Sequence, residues 1–231
     1  MKTNPVITMT AFNRPQYLAQ VLSYLCRCSG IEKYTLLPCV DPSPQVQEIA
    51  DIFATFKACP CYPLINGGVL GNSANTLKAL SQGFSHSNYV IHLEDDVLLA
   101  SDALEMFEHC QRFGENELVF SVSAYRKSNI NVDQRDMRSL LYKQWFSPWG
   151  WATWQDRWQE IRANWELTGW DVHLNENVRR GRFQIVPVLS RAQNIGAEGG
   201  THVPNPLFHE QYHRVRHWAG DVEIKGKWQI R

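Results

Sequence analysis

Three consecutive acids form the part of this sequence best suited to chemistry. Glu94, Asp95 and Asp96 follow a hydrophobic run, Tyr89 to Leu93, and the chain turns hydrophobic again at Val97. Ionised carboxylates are costly to bury unless a positive group lies with them. Carboxylate oxygens are hard ligands that suit Mn²⁺ or Mg²⁺, and a divalent ion in such a place binds phosphate or diphosphate. The triplet therefore predicts a metal-assisted phosphate site, and the alternative is an acidic turn at a strand end without a ligand.

Tryptophans are concentrated in the second half of the chain. Seven of them lie between positions 145 and 170. Trp154 and Trp158 are four residues apart, which predicts that they share one helix face and build core. Trp149 and Trp151 flank Gly150 in a proline-containing loop, so they either pack internally or face a small-molecule substrate.

Hydrophobic runs alternate with helical periodicity in the first half of the chain. The predicted strands cover residues 5–10, 34–40, 61–65 and 89–94, and the predicted helices cover residues 15–25, 46–56, 72–84 and 102–113. Pro15 is placed at the first helical position, and Ser101 or Asp102 caps the last of these helices. Such alternation predicts a mostly parallel sheet covered on both faces, with ligands at the carboxyl ends of the strands. The loops after Thr10, Val40 and Leu93 should therefore meet.

Several classes of protein are disfavoured by the composition and by missing motifs. Lys+Arg and Asp+Glu number 23 each, so no basic surface for nucleic acid is expected. Neither a glycine-rich dinucleotide motif nor a Gly-Lys-Ser/Thr phosphate loop is present. No run of hydrophobic residues is long enough to predict an integral membrane segment. We therefore expect a soluble cytoplasmic protein, and a peripheral position at the inner face of a membrane stays open.

The six cysteines include two Cys-x-Cys pairs, Cys26/Cys28 and Cys59/Cys61. Zinc and iron–sulfur sites usually show Cys-x-x-Cys spacing, so reduced and mostly buried thiols are favoured over a structural metal. The chain of 231 residues is long enough to form its own core, and no linker divides it.

An ordered series of motifs resembles one enzyme family over nearly the whole chain, from Pro5 to Phe208. The motifs are residues 7–14 (ITMTAFNR), Asp41, residues 93–97 (LEDDV), 121–125 (SVSAY), 146–151 (FSPWGW), Trp170-Asp171, Gly181-Arg182, 187–191 (PVLSR) and 196–202 (GAEGGTH). The series resembles the catalytic region of the family 13 enzymes, N-acetylglucosaminyltransferase I, and small bacterial glycosyltransferases of similar make. This resemblance implies a single GT-A glycosyltransferase domain over residues 1–231, an α/β fold of three layers (α/β/α) with a mostly parallel mixed sheet and a Rossmann-like N-terminal half. Residues 1–115 would bind the nucleotide sugar, and residues 116–231 would hold the acceptor and the catalytic base.

The resemblance also implies roles for residues of the first half. Asp96 would coordinate Mn²⁺ (or Mg²⁺), Asp95 would lie near the ribose, and Glu94 would lie near the donor sugar. Arg14 would lie near the diphosphate, in the donor-binding segment that also holds Thr10 and Phe12. Asp41 would accept a hydrogen bond from the base. Asn75 stands where the family has a donor-contacting histidine.

The roles implied for the second half concern catalysis and the acceptor. Asp171 would be the general base that deprotonates the acceptor hydroxyl, with Trp149 and Trp151 holding the acceptor ring. His202 would lie in a C-terminal loop over the phosphates. From the residues alone, Asp171 could instead cap a helix from Val172 to Val178, and His202 could be a hydrogen-bonded loop histidine.

Together these residues predict a metal-dependent, inverting transfer of a sugar from a UDP-sugar, or another nucleoside-diphosphate sugar, to a carbohydrate or other hydroxyl acceptor. A cation and Arg14 would stabilise the leaving diphosphate, so one carboxylate base suffices. Glu198 and Asp156 are the reserve bases. The alternatives are a nucleotidyltransferase or metal-dependent phosphotransferase, and a non-catalytic protein that binds nucleotide sugar or carbohydrate.

Overall fold

The computed structural model describes residues 5–127, 132–199, 203, 205–220 and 224–231. Eleven strands lie in these ranges: β1 Val6–Ala11, β2 Thr35–Val40, β3 Leu64–Ile65, β4 Tyr89–Glu94, β5 Val97–Leu99, β6 Val119–Ser123, β7 Ser139–Lys143, β8 Trp151–Trp154, β9 Phe183–Pro187, β10 Ala192–Asn194 and β11 Gln229–Ile230. The described helices are α1 Pro15–Leu25, α2 Val46–Thr55, α3 Asn72–His86, α4 Ala103–Cys110, α5 Gln155–Ala163, α6 Trp170–His173 and α7 Pro206–Tyr212, and a π-helical turn at Leu174–Val178 continues α6.

Nine of these strands form one mixed sheet in the order β11-β7-β9-β6-β8-β4-β1-β2-β3. Five of its eight pairings are parallel, namely β1 with β2 and β4, β2 with β3, β6 with β9, and β7 with β11. Strand β8 runs antiparallel to both β4 and β6, so it joins the two halves of the chain into one sheet. The predicted α/β fold with a mostly parallel mixed sheet is confirmed.

The N-terminal half folds as the sequence pattern predicts. All six residues of β1 are buried, because helices cover both faces of a parallel sheet. Helix α1 has Pro15 at its first position, where no amide donor is needed. Its hydrophobic residues at helical spacing are buried against the core, and they are Leu18, Val21, Leu22 and Leu25.

Helix α3 packs directly on the sheet at Gly83. A Cβ atom at this position would lie 2.5 Å from Thr8 Cγ2 and 2.8 Å from Val90 Cγ1. No side chain fits there, so this glycine sets the close approach of α3 to β1 and β4.

A second, two-stranded sheet links the C-terminal part of the chain to the acidic triplet. Strand β10 pairs antiparallel with β5, and Asn194 lies opposite Val97, the residue after Asp96. The chain that follows β10 therefore begins beside the acids.

Some local predictions need correction. Trp154 ends strand β8, and only Trp158 belongs to helix α5, so the two do not share a helix face, although both are buried. Helix α4 ends at Cys110 and a 3₁₀ turn follows. Asp102 precedes α4 but makes no capping bond, because its carboxylate pairs with the fully buried Arg191 at 2.8 and 3.1 Å. No helix in the described part of the chain has the length and apolar character needed to span a membrane.

Candidate active site at the strand ends

The carboxyl ends of β1, β2 and β4 lie at one edge of the sheet. Thr10 of β1 is in register with Glu94 of β4 on one side and with Cys39 of β2 on the other. The three loops that the sequence predicts to meet therefore do meet. Thr10 itself is buried, and it lies between β2 and β4 at the ends of these strands.

Arg14 binds two of the three acids. Its Nη2 lies 2.5 Å from Asp95 Oδ1, and its Nη1 lies 2.8 Å from Asp96 Oδ2. All three side chains are largely buried, so these pairs are poorly screened by solvent. Burial lowers the pKa of Arg14, but Asp96 and Asp95 more than offset this, and the net pKa is raised. The guanidinium supplies the positive group that the sequence analysis required beside the acids.

Asp95 and Glu94 hold protons more tightly than usual, since the pKa of each is raised. Burial raises the pKa of Asp95 to about 6, with Arg14 opposing and Asp96 adding to the shift. Burial also raises the pKa of Glu94, and Asp96, Asp95 and Asp171 add to it. Charge is therefore concentrated at this edge beyond what one arginine neutralises, which favours the binding of a further cation.

Phe12 extends the same edge of the sheet. Its amide donates to Asp95 Oδ2 at 3.3 Å, and its carbonyl accepts from the Ser43 hydroxyl at 2.7 Å. The ring is 39% exposed, so it offers a flat apolar surface beside the acids. Phe12 is thus placed to contact a ligand that binds there.

A loop after β10 closes on Asp96. The Ile195 amide donates to the Asp96 carbonyl at 2.8 Å, and Asn194 Nδ2 lies 3.4 Å from Asp96 Oδ1. A Cβ atom on Gly196 would lie 2.1 Å from Asp96 Oδ2 and 3.0 Å from Arg14 Nη1. Only glycine leaves room for this ion pair.

Two residues of this network were missed by the sequence analysis. Asn194 Oδ1 accepts from the Gly196 amide at 3.0 Å and lies 2.9 Å from His209 Nε2. Both side chains are buried. Neither has a distinctive sequence spacing, because they reach Asp96 through the β5–β10 pairing and the packing of α7.

The donor atoms at Asp96 suit Mn²⁺ or Mg²⁺. The carboxylate offers hard oxygens, and the missing side chain at Gly196 leaves space against Oδ2. Among the described residues, no group of three His, Cys, Asp or Glu side chains could hold a metal ion. A divalent ion fits this site when a ligand such as a diphosphate supplies further oxygens.

Asp41 lies at the end of β2 as predicted, but its carboxylate is already occupied. Oδ1 accepts from Asn66 Nδ2 at 2.7 Å, and Oδ2 accepts from the amides of Leu70 and Gly71 at 3.1 and 2.8 Å. Its exposure is only 3%. In this structure Asp41 orders the loop of residues 66–71, and its contact with a base stays a prediction.

Asn75 belongs to the same buried network. Its Oδ1 accepts from Asn66 Nδ2 at 2.9 Å, and its Nδ2 donates to the Cys39 carbonyl at 3.1 Å. Lys78 Nζ completes the network with a 2.7 Å bond to Asn66 Oδ1. Since Asn75 is 3% exposed, a direct contact with a donor is not possible in this structure, and its role is to hold Asn66 beneath the loop.

A cleft of about 360 Å³ lies in the second half of the molecule, and it contains Asp171. The other lining residues come from the segments after β6 and around Trp149, from the end of β7, from α6 and the π-helical turn, and from the end of α7, and they are Tyr125, Lys127, Lys143, Trp145, Phe146, Ser147, Pro148, Trp149, Val172, Asn175, Tyr212 and His213.

Asp171 is held at this cleft by the packing of its neighbours. Gly169 precedes α6 with φ of 60°, a conformation that favours glycine, and Asp171 lies in the first turn of the helix. Trp170 is buried against Trp165, with their rings stacked at 5.1 Å. Asn175 Oδ1 accepts from the Phe146 amide at 2.9 Å and ties α6 to the loop before Trp149. Asp171 therefore lies inside the first turn of α6 rather than capping a helix that starts at Val172, and it lines the cleft.

The aromatic side chains at the cleft differ from the predicted pair. Trp149 lines it, packed edge-on against Tyr125 and His213 at 4.6 and 4.7 Å. Trp151 is fully buried in the core of the second half, so the prediction that it contacts an acceptor is wrong. Trp145 lines the cleft and is 55% exposed. Since Trp145 was counted only as one tryptophan of seven, its role as an open aromatic surface was missed.

The remaining predicted residues lie elsewhere. Asp156 pairs with Arg157 in a separate depression with Glu117 and Glu160, so it is not placed to act as a base in the cleft. Glu198 is exposed, and its amide donates to the Tyr17 hydroxyl at 3.1 Å, on the side of Arg14. His202 lies outside the described residues. All six cysteines are free thiols.

Solved structures of similar fold include glycosyltransferases of the GT-A type. TarS of S. aureus matches with a TM-score of 0.59 and 10% identity over 81% of this chain and 36% of that chain. A complex of TarS residues 1–349 with UDP-GlcNAc matches with a TM-score of 0.56 and 13% identity, over 82% of this chain and 57% of that chain. A third match is the mannosyltransferase PcManGT from Pyrobaculum calidifontis in complex with GDP-Man and Mn²⁺. Its TM-score is 0.56 and its identity 13%, over 80% of this chain and 56% of that chain.

This chain spans less than two thirds of the length of each of these proteins. A family model covers more than half of the chain. Because the GNT-I family model matches residues 75–217, which include the acids, the Trp149 segment, Asp171 and the loop on Asp96, the chain belongs to the GNT-I family.

Proposed function

We propose that this protein is a metal-dependent glycosyltransferase that moves a hexose or N-acetylhexosamine from a nucleoside-diphosphate sugar, with UDP as the favoured nucleotide, to an acceptor hydroxyl with inversion. One observation carries the proposal. Helix α7 connects the two places, because its His209 contacts Asn194 beside Asp96 while Tyr212 lines the cleft, and the charge of Asp171 contributes to the raised pKa of Glu94, after burial and the neighbouring acids. A donor bound at one and an acceptor bound at the other would thus lie side by side.

The donor end supplies electrostatic stabilisation. Departure of a nucleoside diphosphate leaves extra negative charge on its phosphate oxygens, and Arg14 is positioned to receive it. Asp96 would hold Mn²⁺ or Mg²⁺, and the bound ion would neutralise the diphosphate as a Lewis acid. The complexes of PcManGT with GDP-Man and Mn²⁺ and of TarS with UDP-GlcNAc support this choice of donor and ion. Glu94, whose raised pKa includes a contribution from Asp171, would face the donor sugar.

The acceptor end supplies a base and a surface for the sugar ring. Asp171 would accept the proton of the attacking hydroxyl, because inversion needs a single base on the face opposite the leaving group. Trp149 and the exposed Trp145 would hold the acceptor ring beside it. Residues 1–115 would act as the donor half and residues 116–231 as the acceptor half of one domain. Free thiols support a cytoplasmic location.

The first test is nucleotide binding by calorimetry, with UDP, GDP and CDP, each with Mn²⁺, with Mg²⁺ and with EDTA. We expect UDP to bind tightly only with the metal. Asp96→Asn should abolish the metal-dependent part, because it removes a charged oxygen ligand. The exposed Asp51→Asn on α2 is the matched control and should bind as wild type does.

The outcome also separates the alternatives. If the Asp96→Asn variant keeps metal-dependent binding of UDP, Asp96 is not part of the donor site. Nucleotide-sugar binding without any transfer or donor hydrolysis would favour a non-catalytic binding protein. Formation of a new nucleotide–sugar bond from a sugar phosphate and a nucleoside triphosphate would favour a nucleotidyltransferase. NMR of the product's anomeric proton tests inversion directly.

A further inference from the structure

The wall of the acceptor cleft is unusually rich in positive charge. Lys127 and Lys143 both line it, and Asp171 is the one carboxylate among its described lining residues. A cleft built for a neutral sugar needs aromatic rings and hydrogen-bond donors and acceptors, but it does not need the charge of two ammonium groups.

Lys143 is the more informative of the two lysines. It is the last residue of β7, in register with Gln184 of β9, and its side chain is partly buried. Burial and the nearby Arg126 lower its pKa, and no carboxylate in the described part of the chain offsets this. Arg126 is itself held in place by a 2.6 Å bond from Nη1 to the Val188 carbonyl.

Lys127 approaches the cleft from another direction. Its Nζ donates to the Gln211 carbonyl of α7 and lies 5.6 Å from the centre of the Tyr212 ring. Burial, followed by Arg216, lowers its pKa, again with no carboxylate among the causes. The positive charge is therefore contributed by separate elements and converges on the space beside Asp171.

Two largely buried arginines are each paired with carboxylates. Arg14 is bound by Asp95 and Asp96, and Arg191 is bound by Asp102. A partly buried lysine without an anion is costly, and such a cost is removed when a ligand supplies the anion. The contrast indicates that the counter-ion of Lys143 arrives with the substrate.

We propose that the acceptor is an anionic sugar, one that carries a carboxylate or a phosphate close to the hydroxyl that is glycosylated, and that Lys143, assisted by Lys127, binds this group. The inference rests on the proposed function, since it assigns the acceptor of the same cleft. The ammonium groups hold the anion on one side of the ring while Asp171 faces the hydroxyl.

A set of three matched probes tests the chemistry: methyl β-D-glucoside, methyl β-D-glucuronide and methyl β-D-glucoside 6-phosphate. They share a ring and differ at C6 in being neutral, carboxylated or phosphorylated. Binding is measured by protection of Lys143 from acetylation, read by mass spectrometry, and by calorimetry. Neither measurement requires a donor or turnover.

We expect one or both anionic probes, and not the neutral one, to protect Lys143. Lys143→Gln should weaken binding of the anionic probe by about tenfold or more, the usual loss for a charged hydrogen bond, and leave the neutral probe unchanged. Lys143→Arg should restore most of the affinity. Lys57→Gln, which removes a charge from an exposed site after α2, is the matched control and should have no effect.

Equal protection by all three probes, or no protection by either anion, overturns the inference. So does a Lys143→Gln variant that binds the anions as wild type does. Preference for the glucuronide or for the phosphate tells the two sources of charge apart. Metal-dependent binding of UDP, measured on the same preparations, reports on the donor end, so failure of the proposed function is seen separately.

Discussion

The acidic edge around Asp95 and Asp96, called the donor edge below after its proposed ligand, and the cleft of Asp171, proposed to bind the acceptor, are built in opposite ways. At the donor edge, Arg14 donates to both Asp95 and Asp96, and Asn194 donates to Asp96 as well. At the cleft, the Asp171 carboxylate and the Lys143 ammonium have no hydrogen-bond partner among the described residues, and Trp145 is open to solvent. The Arg14, Asp95 and Asp96 groups of the donor edge have protein partners, and the Asp171 and Lys143 groups of the cleft have none among the described residues.

This difference fits two kinds of ligand. The diphosphate is the same in every nucleoside-diphosphate sugar, and fixed charges that need no reorganisation stabilise it best. The acceptor differs from enzyme to enzyme, and aromatic rings with a few polar groups suit a variable ring. Mutations at the two regions should therefore separate donor affinity from transfer, and three predictions test this separation.

The largest effect is expected at the cleft. Asp171→Asn should reduce transfer to the acceptor by about 10²–10⁴-fold, the range for a lost general base. Donor affinity should change little, because the nucleotide and diphosphate are bound at the other region. Initial rates with the donor and an active acceptor, together with calorimetry of UDP and metal, measure both quantities.

Glu176→Gln, an exposed change one helical turn away, is the matched control and should keep wild-type transfer. Full transfer by Asp171→Asn would move the base to another carboxylate, with Glu198 next in line. A large loss of UDP affinity in this mutant would instead show that the two regions are not separable.

A smaller effect is expected at the donor edge from Gly196→Ala. The new methyl group would lie 2.1 Å from Asp96 Oδ2, so the carboxylate or the loop after β10 must shift. Strain of this kind costs about 1–3 kcal/mol, which predicts a loss of roughly five- to 150-fold in metal-dependent UDP affinity. Probe binding in the cleft should stay the same.

Gly68→Ala is the control for this change, since a Cβ atom there would meet nothing within 4 Å and no positive φ is involved. If Gly196→Ala binds UDP as wild type does, the loop after β10 is not part of the donor site. If it weakens the anionic probes as strongly as UDP, the comparison between the two regions fails.

Local periodicity predicted the N-terminal half well because each element there buries a regular face. The strands β1, β2 and β4 and the helix starting at Pro15 follow directly from hydrophobic patterns. The meeting of Arg14 with Asp95 and Asp96 follows from parallel strands ending at one edge. Each of these features follows from the order of strands and helices along the chain, so a single sequence is enough to predict it.

Other parts depended on contacts between distant segments and could not be predicted. Asp41 was recognised as a residue at a strand end, but nothing local indicates that the amides of Leu70 and Gly71 occupy its carboxylate. Trp151 is buried because β8 inserts between β4 and β6, a pairing that periodicity cannot specify. Trp149 stays at the cleft because the loop before β8 is held by Asn175.

The smallest effect concerns the seam between the two regions, where His92 lies. On β4 it is in register with Thr8 of β1 and with Trp151 of β8, so it packs between the donor and acceptor halves. It is fully buried, its Nδ1 lies 3.0 Å from Thr8 Oγ1, and its Nε2 has no hydrogen-bond partner among the described residues. Burial lowers the pKa of His92 from 6.5 to about 3.

The unfolded chain therefore binds a proton at His92 between pH 6.5 and about 3 that the folded protein does not. The stability contributed by the neutral ring is present above pH 6.5 and is lost as the pH falls, by at most about 1.4 kcal/mol per pH unit in this window. His92→Gln should lower the free energy of unfolding at pH 7.5 but flatten its decline towards pH 5, measured by urea titration. The exposed His86→Gln should keep the wild-type slope. At pH 7.5 the His92 variant should bind both UDP with metal and the cleft probes normally, because the seam supports the two regions without belonging to either. An unchanged slope would mean that His92 is already charged in the folded protein.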